Sequence, residues 1–398
     1  MAPARPRTSA VVTALGTAGM LVLTGCVAND SSSADSVTVE SSADACSLSQ
    51  DEAASGTLTF SVTNTGTEVT EFYLLADDRL RVISELENIG PGLTRDLVVQ
   101  VPAGSYVAAC KPGMIGDGIQ STFSVTDSGA QIGPVGAVGD QLAAAEESYV
   151  AYVKDQVGSL VAGTTAFADA YAAGDDDTAR DLYAATRVHW ERVEPVAESF
   201  GDLDPLLDAR EADLADGDVW SGWHHIEKDL WPPAAADNGG QTYTALTPAE
   251  RAQASTDLVE RTAQLSAAVT DEEFTFAAFQ ISNGAKELLD EVATGKVTGE
   301  EEIWSHTDLW DFAANVDGAS VALGVLREVA EAQDPDLVAE LDARFAQLDD
   351  LLAAQGSYER GFTPYDELST EEVTALAAAV DAVSEPLSRL TATITSAG

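Results

Sequence analysis

The apolar residues in the first part of the chain recur at every second position. This alternation occurs in five short segments, which span residues 57–62, 71–75, 95–101, 105–110 and 121–125. Turn-forming residues separate the segments, as at Asn64-Thr65-Gly66. Short alternating segments at this spacing, with Gly and Pro between them, predict a small antiparallel β sandwich or barrel between about Cys46 and Val125.

The apolar spacing changes to that of helices after a glycine-rich stretch at residues 127–139, which carries no charge after its first residue. We interpret this stretch as a domain boundary. The helices predicted beyond it span residues 141–172, 177–200, about 206–214, 223–230, 248–268, 271–293, 301–332, 335–355 and 370–396. The last helix is expected to break or kink near Pro386. The C-terminal part is therefore expected to be an all-α bundle.

The first residues have the features of an export signal. Arg5 and Arg7 precede an apolar segment at 11–23, and Leu23-Thr24-Gly25-Cys26 resembles the lipobox of bacterial lipoproteins. In that pattern Cys26 is lipidated and becomes the mature N-terminus, whereas cleavage elsewhere by an ordinary signal peptidase is the alternative. The predicted organisation is a signal peptide at 1–25, a flexible Ser-, Asp- and Ala-rich tether at 26–43, a β domain at 44–127, a linker at 128–140 and a helical domain at 141–398.

The charge of the chain is strongly negative. Its 67 acidic and 20 basic residues give a net charge of −47. This argues against binding to nucleic acid, which attracts basic proteins, and it favours the attraction of cations. A general adaptation to solubility would produce the same balance, so charge alone does not establish a metal site.

Two cysteines remain once Cys26 is assigned to the lipid. In an oxidising compartment Cys46 and Cys110 would form a disulfide, but they could also serve as metal ligands. Cys110 ends a predicted strand and precedes Gly113, Met114 and a closing strand, which resembles a cupredoxin. A blue-copper site also needs two histidines, and all four histidines lie at position 189 or beyond. The soft or acidic ligand candidates in this domain are Cys46, Cys110, Met114, Glu71, Glu85 and Glu87.

The segment Trp220–Trp231 carries two adjacent histidines, His224 and His225. On a helix, His224 and Glu227 lie on the same face, because they are three positions apart. An imidazole and a carboxylate presented together can bind zinc or iron, although they can also form a plain hydrogen-bonded pair. Position 228 is Lys, so the His-x-x-Glu-His motif of an inverted zinc peptidase is incomplete, and His-Glu-x-x-His does not occur in the chain.

Several further motifs carry a family resemblance. The motifs are 87–92 (Glu-Asn-Ile-Gly-Pro-Gly), 186–195 (Thr-Arg-Val-His-Trp-Glu-Arg-Val-Glu-Pro), 208–211 (Asp-Ala-Arg-Glu), 222–228 (Gly-Trp-His-His-Ile-Glu-Lys), 296–301 (Lys-Val-Thr-Gly-Glu-Glu) and 305–312 (Ser-His-Thr-Asp-Leu-Trp-Asp-Phe). Together with the lipobox, the β domain and the glycine-rich linker, they resemble the EfeO family of extracytoplasmic iron-uptake lipoproteins. The resemblance covers essentially the whole chain after the signal peptide.

The resemblance implies a multidomain fold. An N-terminal all-β cupredoxin-like sandwich would be followed by an all-α imelysin-like helical bundle made of two packed four-helix units. A metal site would lie between the helices, and its ligand candidates are Glu191, Glu194, Asp208, His224, Glu227 and Glu291. Asp290 is the alternative to Glu291. The family also suggests a second metal site at Cys46, Glu71 and Cys110, for which copper is the candidate metal. Ala108 stands where some relatives have Met.

The function implied is the capture of iron, as Fe²⁺ or Fe³⁺, outside the membrane and its delivery to a permease. Mostly carboxylate ligands with one histidine suit iron better than copper(I), while zinc remains compatible. The implied partners are an EfeU-type iron permease, an EfeB-type haem peroxidase and the membrane that holds the lipid anchor. Such a protein would not be an enzyme. The alternatives are a metallopeptidase of the imelysin type and a non-catalytic polysaccharide- or cell-wall-binding module with a structural metal.

Overall fold

The computed structural model describes residues 35–396, except positions 78, 80, 81, 115, 117, 130, 131, 215, 216, 218 and 273. The predicted signal peptide and Cys26 lie outside the described residues. The strands that precede the first helix are β1 (Asp35–Ser41), β2 (Cys46–Leu48), β3 (Glu52–Ala54), β4 (Gly56–Asn64), β5 (Thr70–Ala76), β6 (Val82–Ile89), β7 (Thr94–Val101), β8 (Gly104–Pro112) and β9 (Ile119–Thr126).

These strands form two sheets that enclose an apolar core. The four-stranded sheet has the order β2-β1-β4-β7, and the five-stranded sheet has the order β3-β9-β8-β5-β6. The rings of Phe60, Phe72 and Phe123 meet between the sheets, with centroids 5.3 and 5.2 Å apart. The prediction of a purely antiparallel sandwich is wrong in one respect, because β1 pairs parallel to β4 and β3 pairs parallel to β9.

Strand β1 lies inside the segment that was predicted to be a flexible tether. Val37 and Val39 are fully buried in the sandwich core, and β1 pairs with both β2 and β4. The tether prediction is therefore wrong over Asp35–Ser41. The alternation of Ser36, Val37, Thr38 and Val39 is the period expected of a strand, and the Ser- and Asp-rich composition around it concealed this signal.

The helices of the described chain are α1 (Gly136–Ala173), α2 (Asp176–Glu191), α3 (Leu203–Asp208), α4 (Trp223–Leu230), α5 (Pro248–Thr270), α6 (Ala278–Thr294), α7 (Asp308–Gln333), α8 (Pro335–Gln355), α9 (Thr370–Leu387) and α10 (Leu390–Thr395). Short 3₁₀ segments lie at Glu194–Phe200, Glu211–Asp213, Ala235–Asp237, Lys296–Thr298 and Tyr365–Glu367. A small hairpin of β10 (Gly356–Ser357) and β11 (Gly361–Phe362) follows α8. None of the described helices is both long enough and apolar enough to cross a bilayer.

Prolines account for two of the differences from the predicted helix bounds. The helix predicted at 177–200 ends as an α-helix at Glu191 and resumes as a 3₁₀ segment that contains Pro195. The helix predicted at 370–396 divides into α9 and α10 just beyond Pro386. A proline cannot donate the backbone hydrogen bond that would continue the helix, so the ladder is interrupted at each site.

The helices pack in two groups. Helices α6, α7, α8 and α9 form a closed four-helix unit, in which α6 and α8 each contact both α7 and α9. In the other group α1 packs along α2 and α5, while α1 and α2 also contact α7. Only one of the two predicted four-helix units therefore has four long helices. The remaining position is taken by the short helices α3 and α4, which carry candidate site residues.

Helix α6 joins the helical part to the β sandwich by packing against β6 and β7. Phe279 of α6 is 3 % exposed and belongs to the core of the sandwich. Asn283 donates from Nδ2 to Oγ of Ser84 and to the carbonyl of Val98, both at 2.9 Å, and so holds an edge strand of each sheet. Arg95 of β7 forms an ion pair with Asp290 of α6. The two parts are thus in direct contact along α6.

Candidate metal centre

The close approach of α3 and α4 depends on a glycine. Gly222 precedes α4 with φ of 88°, and a Cβ atom there would lie 2.1 Å from the carbonyl oxygen of Leu207. Only a residue without Cβ fits this contact, and glycine also adopts positive φ at little cost. The contact brings Asp208, the last residue of α3, beside His224 in the first turn of α4.

The His224 imidazole is buried between two carboxylates. It is 1 % exposed, and its Nε2 lies 3.4 Å from Oδ1 of Asp208 and 3.5 Å from Oε1 of Glu301. Nε2 has no hydrogen-bond partner among the described residues. One ligand atom from each of the three residues lies within 4.8 Å of the others. This group, Asp208, His224 and Glu301, is called the helical cluster below.

The other ring nitrogen of His224 faces Glu227. Nδ1 lies 3.3 Å from Oε2 of Glu227, and Oε1 of the same carboxylate accepts hydrogen bonds from the backbone N–H groups of Trp304 (3.0 Å) and Ser305 (2.8 Å). A carboxylate on one nitrogen of a histidine commonly orients the ring and leaves the other nitrogen for a metal. Glu227 therefore holds His224 in place and anchors the loop that carries Glu301. With His224 and Glu302 it also forms a second group whose ligand atoms lie within 4.8 Å of one another, so its predicted role as a ligand stays a prediction.

The carboxylates around His224 favour a proton on its imidazole. Burial lowers the pKa of His224, and so does the charge of Arg187. The carboxylates of Glu227, Glu301 and Asp208 outweigh both and raise that pKa to about 10. Burial alone would raise the pKa of Asp208, but Arg187 and His224 hold it below its usual value. A cation that replaces the proton would thus meet two ionised carboxylates.

Arg187 lies at the centre of the surrounding acidic network. Its side chain is fully buried and forms an ion pair with Asp208. Its Nη2 lies 2.5 Å from Oε1 of Glu191, and its Nε lies 2.6 Å from Oε1 of Glu302. Glu302 also accepts a hydrogen bond from Ser305 Oγ at 2.9 Å. Arg187 and Ser305 therefore hold the Glu302 carboxylate in place beside the helical cluster.

Glu191 and Glu194, predicted as ligands, surround a lysine instead. Nζ of Lys296 lies 3.1 Å from Oε2 of Glu191 and 2.7 Å from Oε1 of Glu194. Nδ2 of Asn315 donates to Oε2 of Glu191 at 3.0 Å and to Oε2 of Glu194 at 2.6 Å. Among the described residues, neither glutamate belongs to a group of three ligand atoms that could hold a metal. The structure thus places an ammonium group where the sequence suggested a metal.

Glu291 and Asp290 differ in what they face. Glu291 lines a cavity of about 270 Å³ that Asp208 and Glu301 also line. Burial raises the pKa of Glu291 to about 7, although Lys296 opposes this. Asp290 instead pairs with Arg95 and with Lys286 Nζ at 2.8 Å, and it accepts a hydrogen bond from Ser384. Of the two, only Glu291 is directed to the side where the helical cluster lies.

The ligand set predicted in the β domain does not converge. Cys46 and Cys110 are joined by a disulfide, which links β2 to β8 and thus the two sheets. Cys110 pairs across strands with Phe72, whereas Glu71 pairs with Lys111. Adjacent residues of a strand point to opposite faces, so Glu71 lies on the other side of the sheet from Cys110. The prediction of one site from Cys46, Glu71 and Cys110 is therefore wrong in this structure.

The sequence reasoning missed Glu301 as a ligand candidate. It lies in a loop between α6 and α7, where no helical spacing relates it to His224. Its one signal is its place in the motif Lys-Val-Thr-Gly-Glu-Glu at 296–301. The prediction that a helix begins at residue 301 obscured this, because α7 begins only at Asp308.

Comparisons with known proteins agree on the family. The model of the imelysin family, also designated peptidase family M75, matches residues 145–390. "Iron uptake system component EfeO" of Escherichia coli K12 is 36 % identical over 318 residues, and the alignment covers 78 % of each chain. The protein of the same name from Shigella flexneri matches to the same extent. A solved structure described as an iron-regulated protein A precursor from Parabacteroides distasonis has a TM-score of 0.48 at 18 % identity, and covers 67 % of this chain and 97 % of its own.

The family model spans more than half of the chain, and the EfeO relatives align with 78 % of it. The chain therefore belongs to the imelysin family and is an EfeO-type protein.

Proposed function

We propose that the protein binds iron at the helical cluster, with Nε2 of His224 and carboxylate oxygens of Asp208 and Glu301 as ligands. The observation that carries this proposal is the buried Nε2 of His224, which faces carboxylate oxygens of Asp208 and Glu301 at 3.4 and 3.5 Å and forms no regular hydrogen bond with the described residues. These contacts are longer than good hydrogen bonds, and a metal ion among the three atoms would bind all of them. Glu227 would orient the imidazole, and Glu302 would support it.

The chemistry of this ligand set suits iron. One imidazole with several carboxylate oxygens matches the preferences of iron, manganese and zinc better than those of copper(I). Choosing iron among these ions is supported by the relatives, which are named as components of an iron uptake system. Copper at Cys46 and Cys110 does not form part of the proposal, because both sulfurs are in a disulfide.

We further infer that the protein delivers its iron to a membrane permease and acts with a haem peroxidase, as an anchored binding protein without catalytic turnover. The β sandwich would be of the cupredoxin type. The lipobox at Leu23–Cys26 supports an anchor outside the cytoplasmic membrane. Replacing Cys26 by Ala should release the protein from the detergent phase, and unchanged partition into detergent would contradict the anchor.

The iron proposal is tested by calorimetric titration of Fe²⁺ under anaerobic conditions into wild type and His224→Ala. The variant should lose the bound ion or bind it far more weakly, while its helical circular dichroism is unchanged. His189→Ala is the matched control, because His189 contacts Gln156 at 2.9 Å and belongs to neither ligand group of the helices. Equal binding by wild type and His224→Ala would show that the His224 site is not the iron site.

A peptidase function remains the second candidate, because the matching family model carries a peptidase designation. The same three ligands could hold zinc with one position open for water. Hydrolysis of casein by the zinc-loaded protein, abolished by His224→Ala, would favour this candidate. The absence of hydrolysis together with tight iron binding would favour the binding protein.

A further inference from the structure

A second group of acidic side chains lies at the contact between the β sandwich and the helices. Glu85 and Glu87 come from β6, and Glu198 comes from the 3₁₀ segment Glu194–Phe200. One carboxylate oxygen from each residue lies within 4.8 Å of the others. We call this group the interdomain cluster. It shares no residue with the helical cluster.

The strand geometry explains why the two β6 residues point the same way. Glu85 pairs with Tyr73 of β5, and Glu87 lies two positions further along β6. Side chains two positions apart in a strand share a face. This face is the outer one, because Leu86, which lies between Glu85 and Glu87, belongs to the sandwich core together with its cross-strand partner Phe72. The 3₁₀ segment that carries Glu198 covers this outer face.

A glycine also fixes the contact between α6 and the 3₁₀ segment Glu194–Phe200. A Cβ on Gly284 of α6 would lie 1.7 Å from the carbonyl oxygen of Pro195. The missing side chain allows the 3₁₀ segment to pack directly on α6. Because α6 is also the helix that packs on β6, Glu198 is held opposite Glu85 and Glu87 by backbone contacts and not by its own side chain.

Within the described part of the chain, one oxygen of this cluster has no hydrogen-bond partner. Glu85 is 8 % exposed, and its Oε2 is buried without a hydrogen-bond partner among the described residues. The strongest electrostatic influences on Glu85 all come from other carboxylates, those of Glu198, Glu87, Glu287 and Glu71. A buried oxygen that has no donor and lies close to other carboxylates is unfavourable. A cation bound there would give this oxygen a partner and reduce the repulsion between the carboxylates.

The nearby basic side chains are committed to other contacts. Nζ of Lys111 lies 3.9 Å from the centre of the Tyr73 ring. Nζ of Lys286 lies 3.0 Å from Glu287 and 2.8 Å from Asp290. Neither lysine forms an ion pair with Glu85, Glu87 or Glu198 within the described residues. Burial raises the pKa of Glu198, and the charge of Lys111 opposes this, but among the described residues no ammonium group is in ion-pair contact with the cluster as Lys296 is with Glu191 and Glu194.

We propose that Glu85, Glu87 and Glu198 form a second cation site, which takes an oxygen-preferring ion such as Fe²⁺, Fe³⁺ or Mn²⁺. The ligands are all carboxylates, which suit hard cations. The three residues line the same cavity of about 270 Å³ as Asp208 and Glu301 of the helical cluster. The two sites therefore share one chamber. That the ion at the second site is also the iron cargo rests on the proposed function, whereas the site itself does not.

The test uses Mn²⁺ as the probe, with free Mn²⁺ followed by electron paramagnetic resonance during titration of the full chain. Wild type should bind two ions and His224→Ala one. Glu85→Gln/Glu198→Gln should bind one ion, and the triple variant His224→Ala/Glu85→Gln/Glu198→Gln none. Glu146→Gln is the matched control and should bind two, because this partly buried glutamate accepts a hydrogen bond from Ala278 at 2.8 Å and belongs to neither cluster.

Two results separate the two proposals. If the triple variant binds as much Mn²⁺ as His224→Ala alone, the interdomain site is overturned and the helical site is untouched. If His224→Ala binds as much as wild type while Glu85→Gln/Glu198→Gln loses an ion, the helical site fails and the interdomain site stands. Circular dichroism and melting curves check the fold of each variant. Should the double variant unfold, Glu87→Gln in the His224→Ala background takes its place, with at least tenfold weaker Mn²⁺ binding expected and unchanged binding overturning the site.

Discussion

Oε1 of Glu301 lies 3.5 Å from Nε2 of His224, although Glu301 is in a loop and His224 is in the first turn of α4. Glu227 makes this contact possible, because its carboxylate accepts hydrogen bonds from the backbone of that loop at Trp304 and Ser305. One glutamate thus positions the imidazole and, through the loop, the second carboxylate. Glu227 and Glu301 therefore have different roles, which separate substitutions can distinguish.

Glu301→Gln and Glu227→Gln should both weaken iron binding, for different reasons. Glu301→Gln removes a charged ligand. Glu227→Gln removes only the group that orients the ligand, a change that typically costs about 10- to 100-fold in metal affinity. We expect Glu301→Gln to have the larger effect in anaerobic Fe²⁺ titrations. Glu328→Gln, on the exposed surface of α7, is the control, and unchanged affinity in Glu301→Gln would remove Glu301 from the site.

Lys296→Met should destabilise the metal-free protein. The substitution removes the ammonium group that the buried Glu191 shares with the half-buried Glu194, and removing one partner of a buried ion pair costs about 3–5 kcal/mol. Urea denaturation of the metal-free protein measures this loss. Lys154→Met is the control and should stay within about 0.5 kcal/mol of wild type, because Lys154 lies outside these ion pairs. A Lys296→Met protein as stable as wild type would show that the carboxylates carry protons in place of the ammonium group.

Gly222→Ala should disrupt the helical cluster by pushing α3 away from α4. The new methyl group would overlap the carbonyl oxygen of Leu207, at 2.1 Å. Gly174→Ala is a matched control, since Gly174 has a similar φ of 75° but a Cβ there meets nothing within 4 Å. The control should lose about 1–2 kcal/mol from backbone strain alone, measured by denaturation. A loss in Gly222→Ala no larger than in the control, with normal iron binding, would contradict the role of this contact.

Asp290→Asn should weaken the contact between the β sandwich and α6, and its effect should depend on pH. Burial raises the pKa of Asp290, but Lys286, Ser384 and Arg95 outweigh it and hold the pKa below its usual value. A lowered folded-state pKa means that Asp290 stabilises the fold above the unfolded-state pKa of about 3.9. That contribution is lost as pH falls through the folded-state value.

The stability difference between wild type and Asp290→Asn should therefore be constant at neutral pH, at about 1–3 kcal/mol, and should shrink below about pH 4. Urea denaturation at several pH values measures it. Asp381→Asn, on the exposed side of α9, provides the baseline. A difference that grows as pH falls would have the wrong sign and would reject this assignment.

Replacing both Cys46 and Cys110 by Ser should lower the stability of the β sandwich without changing the metal content of the helices. The disulfide closes a loop with a sequence separation of 64 residues, and the chain-entropy model assigns such a loop about 4 kcal/mol. Thiol titration of the denatured Cys26→Ala protein without reductant should find no free thiol. Two reactive thiols would instead revive the ligand role.

The hydrophobic periodicity determined much of this fold. Period-two segments located most of the sandwich strands, and helical spacing located α4 and α8 with their observed bounds. These elements are set by local patterns, since burial of one face needs apolar residues at a fixed spacing. The spacing of His224 and Glu227 identified the side chains at the centre of the candidate site for the same reason.

Tertiary structure decided which carboxylates meet His224. Glu191 and Glu301 are buried and Glu194 is half-buried, but only Glu301 reaches the imidazole, while the other two surround Lys296. No local spacing encodes this choice, because it depends on where Gly222 and Gly284 let separate segments touch. Charges distant in the chain are paired by packing, and the energy of a buried carboxylate depends on the partner that packing provides.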